Sequence, residues 1–222
     1  FKQICNAVAA LHNKNLVHND IKLDNITLRV DDVRTDNSII IPDLYHPDLQ
    51  SGTKERNDKQ ELLVPCSAFL IDFGWSGLDG QKFPESEIIK NTNITYGNDI
   101  SAPYEDENKK NKAHDIWALG VLLCQLLLGP IDSRNFDNPD EETLNTEIEK
   151  LTKLINSKFA SQKKFMGLRF KSNSFLNRII ELIIHIIKDL LSHKAADRPK
   201  ITQVIKMVEH LEGIIKEYEK SL

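Results

Sequence analysis

The chain has 222 residues, room for one large domain or two small ones, and its 40% apolar and 28% charged residues belong to a folded globular chain rather than a disordered one. Its formal charge of −4 gives no electrostatic footing for nucleic acid, and neither of its most apolar runs reaches the roughly 20 residues of a membrane-spanning helix, so neither nucleic acid nor membrane is expected as a partner. Three widely spaced cysteines (Cys5, Cys66 and Cys124) without a CxxC pair argue against a disulfide framework or a structural metal and for a reducing, cytoplasmic setting.

The opening residues 1–13 carry Ile4, Cys5, Val8 and Leu11 at helical spacing. A chain that starts on Phe1 in mid-helix reads as a piece of a longer protein. "NLVH" and "ITLRV" (Ile26–Val30) read as short strands on either side of a polar loop holding Asp20, Lys22 and Asn25. Residues 31–66, rich in Asp, Asn, Pro and Ser, are too long for an ordinary loop and read as a surface insertion. "AFLID" (Ala68–Asp72) is the next strand, ending in "FGWSG", where glycine permits a sharp turn.

Residues 75–112 show no sustained period and are expected to be mostly loop. Ile116–Gly129 and Ile179–Leu191 read as buried helices that are apolar almost all round. Between them "NPDEETL" is a helix start, with Asn138 as the cap, Pro139 in the first helical position and acidic residues following. The apolar helix at 176–191 is expected to break before Pro199. Residues 201–222 form a last helix, whose Ile201, Val204, Val208, Leu211, Ile215, Tyr218 and Leu222 suit packing on their own domain better than a coiled-coil seam.

Phosphoryl transfer asks for oxygen ligands for a hard cation, a positive charge near the moving group, and a carboxylate at the attacking hydroxyl. Asp20, Lys22, Asn25 and Asp72 are the residue types that could supply these. Solvated turn chemistry is the competing reading for Asp and Asn in such loops.

The sequence around these residues resembles the eukaryotic-type protein kinases. "HNDIKLDN" is similar to the catalytic loop HRDxKxxN, and "IDFG" to the magnesium-binding DFG. "AHDIWALGVLLCQLLLG" resembles the central DxWxxG helix, "SAPYE" the APE motif and "ADRP" the late arginine motif, all in family order.

The resemblance covers the family's large C-terminal lobe. It implies an α+β, mostly α-helical fold with short β-strands around the catalytic loop and a buried central helix. It makes Asp20 the catalytic aspartate and Lys22 the cation at the ATP phosphate, in a loop of the serine/threonine-directed kind. Asn25 and Asp72 become ligands of Mg²⁺, with ATP and a protein substrate as the reactants. His18, Phe73, Gly74 and Asp115 become structural support, and Glu105 pairs with Arg198. Residues 72–105 would be the activation segment.

Three departures stand out. Asn19 replaces the arginine that in most kinases meets an activation-loop phosphate. "APYE" is one residue longer than APE. The glycine-rich loop and strand lysine of the N-terminal lobe are absent, so that lobe is expected upstream or on another chain. Two other readings remain open: a pseudokinase acting as a binding scaffold, and a small-molecule kinase of the choline or aminoglycoside type.

Overall fold

The computed structural model describes residues 1–30, 66–83, 109–165 and 173–220. The Thr92, Thr95, Tyr96 and Glu105 positions, the APE-like segment and nearly all of the expected insertion lie outside the described residues. Within them run five α-helices and two two-stranded sheets: α1 (Lys2–Asn13), β1 (Leu16–Val17), β2 (Ile26–Val30), β3 (Cys66–Leu70), β4 (Gly77–Leu78), α2 (Lys112–Leu128), α3 (Glu141–Phe165), α4 (Asn173–Leu190) and α5 (Ile201–Glu219). The fold is thus mostly helical with few short strands, as expected. No helix among the described residues is long and apolar enough to cross a membrane.

The organising element is α2. Asn111 caps its N-terminus by accepting from the Ala113 amide at 2.8 Å, and Gly129, at φ 86°, stops it in a conformation that favours glycine. Asp115 through Leu122 are all buried, so every face of this stretch is covered. On one side Trp117, Val121 and Cys124 join α3 and α4 through Leu144, Ile148, Leu151, Ile183 and Ile187. On the other, Ile116, Leu119 and Leu122 join α1 and α5 through Ile4, Val8, Val204 and Val208. This stretch, shared by two cores, has no solvent face, which explains its continuous apolar run, whereas Leu126 beyond it is half exposed.

The second apolar run behaves differently. α4 buries Ile179, Ile180, Ile183, Ile186, Ile187 and Leu190, while Glu181, His185 and Lys188 are exposed. It is one-sided, and its polar interruptions are its outer face. α5 packs its Ile201, Val204 and Val208 into the same domain as α1 and α4, so the intramolecular reading of its heptad-like spacing holds.

The helix start near residue 138 moves. Asn138 has φ 44° and lies before the helix, while Asp140 accepts from the Thr143 amide at 2.7 Å and caps α3 at Glu141. Asp140 is two residues further on, and its carboxylate is held below its ordinary pKa chiefly by that amide.

The strands are short and local. β2 pairs antiparallel with β3, from Ile26 opposite Leu70 to Val30 opposite Cys66, so Cys66 begins a strand rather than ending an insertion. Gln3 of α1 anchors this hairpin, accepting from the Ala68 amide at 2.7 Å. β1 pairs with β4, Leu16 opposite Leu78 and Val17 opposite Gly77. Cys5 and Cys124 are buried, and burial pushes both thiols up to about 12, which leaves them inert at neutral pH.

Gly120 sits where α2 meets the end of α4. A Cβ there would lie 2.8 Å from Leu191 Cδ2 and 2.9 Å from Leu190 Cβ. Helix propensity alone favours Gly→Ala by about 1 kcal/mol, but overpacking a dense core costs roughly 1–3 kcal/mol. Gly120→Ala is therefore expected to lower the unfolding free energy in urea; an unchanged or raised midpoint would show that the α2–α4 contact has slack.

Candidate active site

The loop between β1 and β2 is shaped from beneath by Asp115. This carboxylate, 1% exposed in the first turn of α2, accepts from the His18 amide at 2.9 Å, the Asn19 amide at 2.8 Å and His12 Nε2 at 2.9 Å. Both of its oxygens are thus occupied, and its charge lies at the positive end of the helix dipole. Asn19 takes φ 66°, a left-handed conformation that asparagine tolerates better than most residues.

His18 is fully buried. It accepts from the Asp20 amide at Nδ1 (3.3 Å) and donates from Nε2 to the Ile71 carbonyl (3.1 Å). That pairing fits the neutral ring with its proton on Nε2. Burial lowers its pKa below the ordinary 6.5, against the opposing pull of Asp115 and the Ile71 carbonyl. The ring also meets Phe73, with centroids 4.9 Å apart. One histidine therefore joins the loop bearing Asp20 to the chain entering Asp72.

The four polar residues separate into a tight group and a neighbour. Asp20 is 2% exposed. Asn25 Nδ2 donates to its carbonyl at 2.8 Å and to its Oδ2 at 2.7 Å. Lys22 Nζ stands 3.2 Å from Oδ1 as an ion pair without hydrogen-bond geometry, and that oxygen accepts no hydrogen bond among the described residues. Asn19 Oδ1 is likewise buried without a hydrogen bond among the described residues.

Asp72 follows β3 at φ 62° and is exposed, its Oδ1 accepting from the Gly74 amide at 3.1 Å. The Ile71 amide donates to the Asn25 carbonyl at 2.9 Å, which ties this turn to the first group. Phe73 is 50% exposed.

The donor set can be tested against Mg²⁺. The amide nitrogen of Asn25 is spent on Asp20, so its oxygen is the atom left to face a cation. Asp72 brings an exposed carboxylate. Mg²⁺ takes one or two protein oxygens and completes its shell with water and phosphate, so this pair fits. No group of three or more His, Cys, Asp or Glu able to hold a metal occurs among the described residues.

Arg198 is buried and structural in its surroundings. Its guanidinium donates to the carbonyls of Ser192, His193 and Ala113 at 2.8, 3.0 and 3.1 Å, and lies 4.9 Å from the Trp117 ring centroid. Its expected partner Glu105 lies outside the described residues.

His12 and Ser76 make contacts not anticipated from the sequence. His12 reaches Asp115, and Ser76 Oγ donates to the His18 carbonyl at 3.2 Å. His12 did carry a signal: it follows Cys5 and Val8 on the buried stripe of α1, where a polar side chain needs a partner.

The protein kinase domain family matches residues 1–208. The chain belongs to the protein kinase family. It is 30% identical over 184 residues, 73% of its length, to the probable serine/threonine-protein kinase nek1 of Dictyostelium discoideum, of which it covers 33%. It is 27% identical over 199 residues, 89% of its length, to serine/threonine-protein kinase 33 of Bos taurus, covering 31% of that protein. It is also 23% identical over 214 residues, 96% of its length, to eukaryotic translation initiation factor 2-alpha kinase 3 of Rattus norvegicus, covering 15% of it. The chain thus spans about a third or less of these relatives.

His114, next to Asp115, gives the site a pH limit. Burial, then the Arg198 guanidinium, push its pKa from the ordinary 6.5 down to about 4. Between those values the unfolded chain binds a proton that the folded one does not, so its contribution to stability is present above about pH 6.5 and is lost as pH falls towards 4. His18 acts in the same direction. Urea unfolding at pH 7 and pH 5 should show a fall for the unaltered chain and a shallower one for His114→Asn; equal falls would remove His114 as the cause.

Proposed function

We propose that this chain is the C-terminal lobe of a serine/threonine protein kinase that transfers the γ-phosphate of ATP to hydroxyls of protein substrates. The single observation that carries the proposal is the arrangement of Asp20. One carboxylate oxygen is fixed by Asn25, while the other makes no hydrogen bond among the described residues and faces Lys22. A carboxylate anchored on one side and with a spare buried acceptor on the other suits orienting a hydroxyl and taking its proton. Lys22 would carry charge at the transferred phosphoryl group.

Asn25 and Asp72 would hold Mg²⁺, which when bound neutralises charge on the ATP phosphates. The serine/threonine assignment is supported by two relatives whose names carry it and by Lys22 in the loop. Grip on the nucleotide would come from an N-terminal lobe upstream or on another chain, so the 222 residues alone should bind ATP poorly. The cellular setting proposed is cytoplasmic.

Asn19 adds a regulatory expectation. It offers no cation to a phosphate on the activation segment, so transfer should not depend on phosphorylation there. Replacing Thr92, Thr95 and Tyr96 by non-phosphorylatable residues should leave turnover intact, and a large loss would refute the point.

The central test joins this chain to its N-terminal lobe and supplies Mg-ATP with a generic protein substrate. Asp20→Ala and Asp72→Ala should each abolish transfer. Removing one group of a catalytic set that acts as a unit commonly costs on the order of 10⁴-fold or more in turnover. Partner binding without transfer would favour the scaffold reading, and transfer only to small alcohols or amines would favour the small-molecule one.

A further inference from the structure

Lys110 is a buried cation that the proposed chemistry does not use. It is 6% exposed, and its ammonium donates to the Ser76 carbonyl at 2.8 Å and stands 5.5 Å from the Phe83 ring centroid. No carboxylate pairs with it among the described residues. A buried ammonium is costly to desolvate, and a methionine would fill similar volume at less cost. Packing alone therefore does not explain a lysine here.

The surroundings show what the charge holds. The Lys110 backbone bridges the same segment: its amide donates to the Gln81 carbonyl at 2.9 Å, and its carbonyl accepts from the Gly80 amide at 2.8 Å. Ser76, the target of the ammonium, closes the turn after Asp72 by donating its amide to the Phe73 carbonyl at 3.0 Å. The Ser76 hydroxyl donates to the His18 carbonyl at 3.2 Å, two residues before Asp20. Ser76 thus sits between the turn bearing Asp72 and the loop bearing Asp20, and Lys110 fixes it from behind.

Gly77 makes the approach possible. A Cβ there would lie 2.5 Å from Gln81 Oε1, 2.8 Å from Lys110 Cδ and 2.9 Å from Lys110 Nζ. A side chain at residue 77 would crowd both the Gln81 side chain and the ammonium.

We infer that Lys110 is a positioning residue for the transfer reaction: its buried ammonium holds the Asp72 turn in register with the Asp20 loop through Ser76. The inference rests on the kinase reading for its link to turnover, but its structural half stands without it. Two variants test it. Lys110→Met removes the charge and keeps the bulk, while Gly77→Ala keeps the charge but crowds it together with the Gln81 side chain, whose Oε1 accepts from the Leu78 amide. In the 222-residue chain, amide hydrogen exchange across residues 71–80 should quicken in both, while α2 and α4 keep their protection. Lys110→Arg, which can still donate, should restore much of that protection.

In the two-lobed protein, both variants should raise the Mg²⁺ concentration for half-maximal transfer by about tenfold or more, as loss of a residue supporting a metal ligand commonly does. Unchanged exchange at 71–80 overturns the inference. So does a uniform rise across all helices, or lower turnover at an unchanged Mg²⁺ requirement, because both describe a merely structural lysine. If the unaltered two-lobed protein transfers no phosphate, the kinase reading fails, and the exchange measurement still decides whether Lys110 holds the turn.

Discussion

The Asp115 carboxylate is the constraint on which the rest depends. A buried carboxylate is tolerable only if its oxygens are satisfied, and here the donors are two consecutive loop amides and one histidine. Those bonds hold Asn19 at φ 66° and so set the direction in which Asp20 leaves the loop. The post itself cannot move. It stands in the first turn of a helix locked between two hydrophobic cores, so the precision of the loop derives from the packing of α2.

Asp72 is placed by a second, lighter set of contacts. It lies on a turn after β3, is exposed, and is joined to the Asp20 loop by His18, by the Ile71–Asn25 backbone bond and by Ser76. For the roles proposed for Asp20 and Asp72, the division is chemically reasonable. A carboxylate that meets a hydroxyl gains from a fixed, desolvated position. A ligand for Mg²⁺ has to reach an ion that keeps part of its water shell, and exposure serves that.

What could be read from the sequence follows the range of the interactions. The grouping of Asp20, Lys22 and Asn25 was legible because six residues of chain hold all three, and β2 was legible because ITLRV alternates within one strand. The two apolar runs looked alike, yet α2 is covered on every side from Asp115 to Leu122 and α4 on one. That difference depends on which elements arrive from elsewhere in the chain. Asn138 and Asp140 are both good caps on propensity, and the choice fell to Asp140 by backbone geometry that the residue type does not encode. β4 and the Lys82–Lys109 bridge were missed because they are two residues and one residue long, below any period. His12, Ser76 and Lys110 act through partners 103, 58 and 34 positions away, and nothing local marks them except a polar residue on a buried stripe.

Asn19 gains a second meaning from this geometry. Its place in the loop requires a positive φ, which most side chains accept only at a cost of roughly 1–2 kcal/mol and asparagine accepts more readily. An arginine there would carry both that strain and a cation needing an anionic partner. With asparagine the strain is smaller and no anion is called for. The loop is then fixed by Asp115 from below and His18 from the side, both made of groups internal to the fold. A loop so held has less to gain from an outside phosphate, and this is the physical basis for expecting a catalytic loop that is set by folding rather than by phosphorylation.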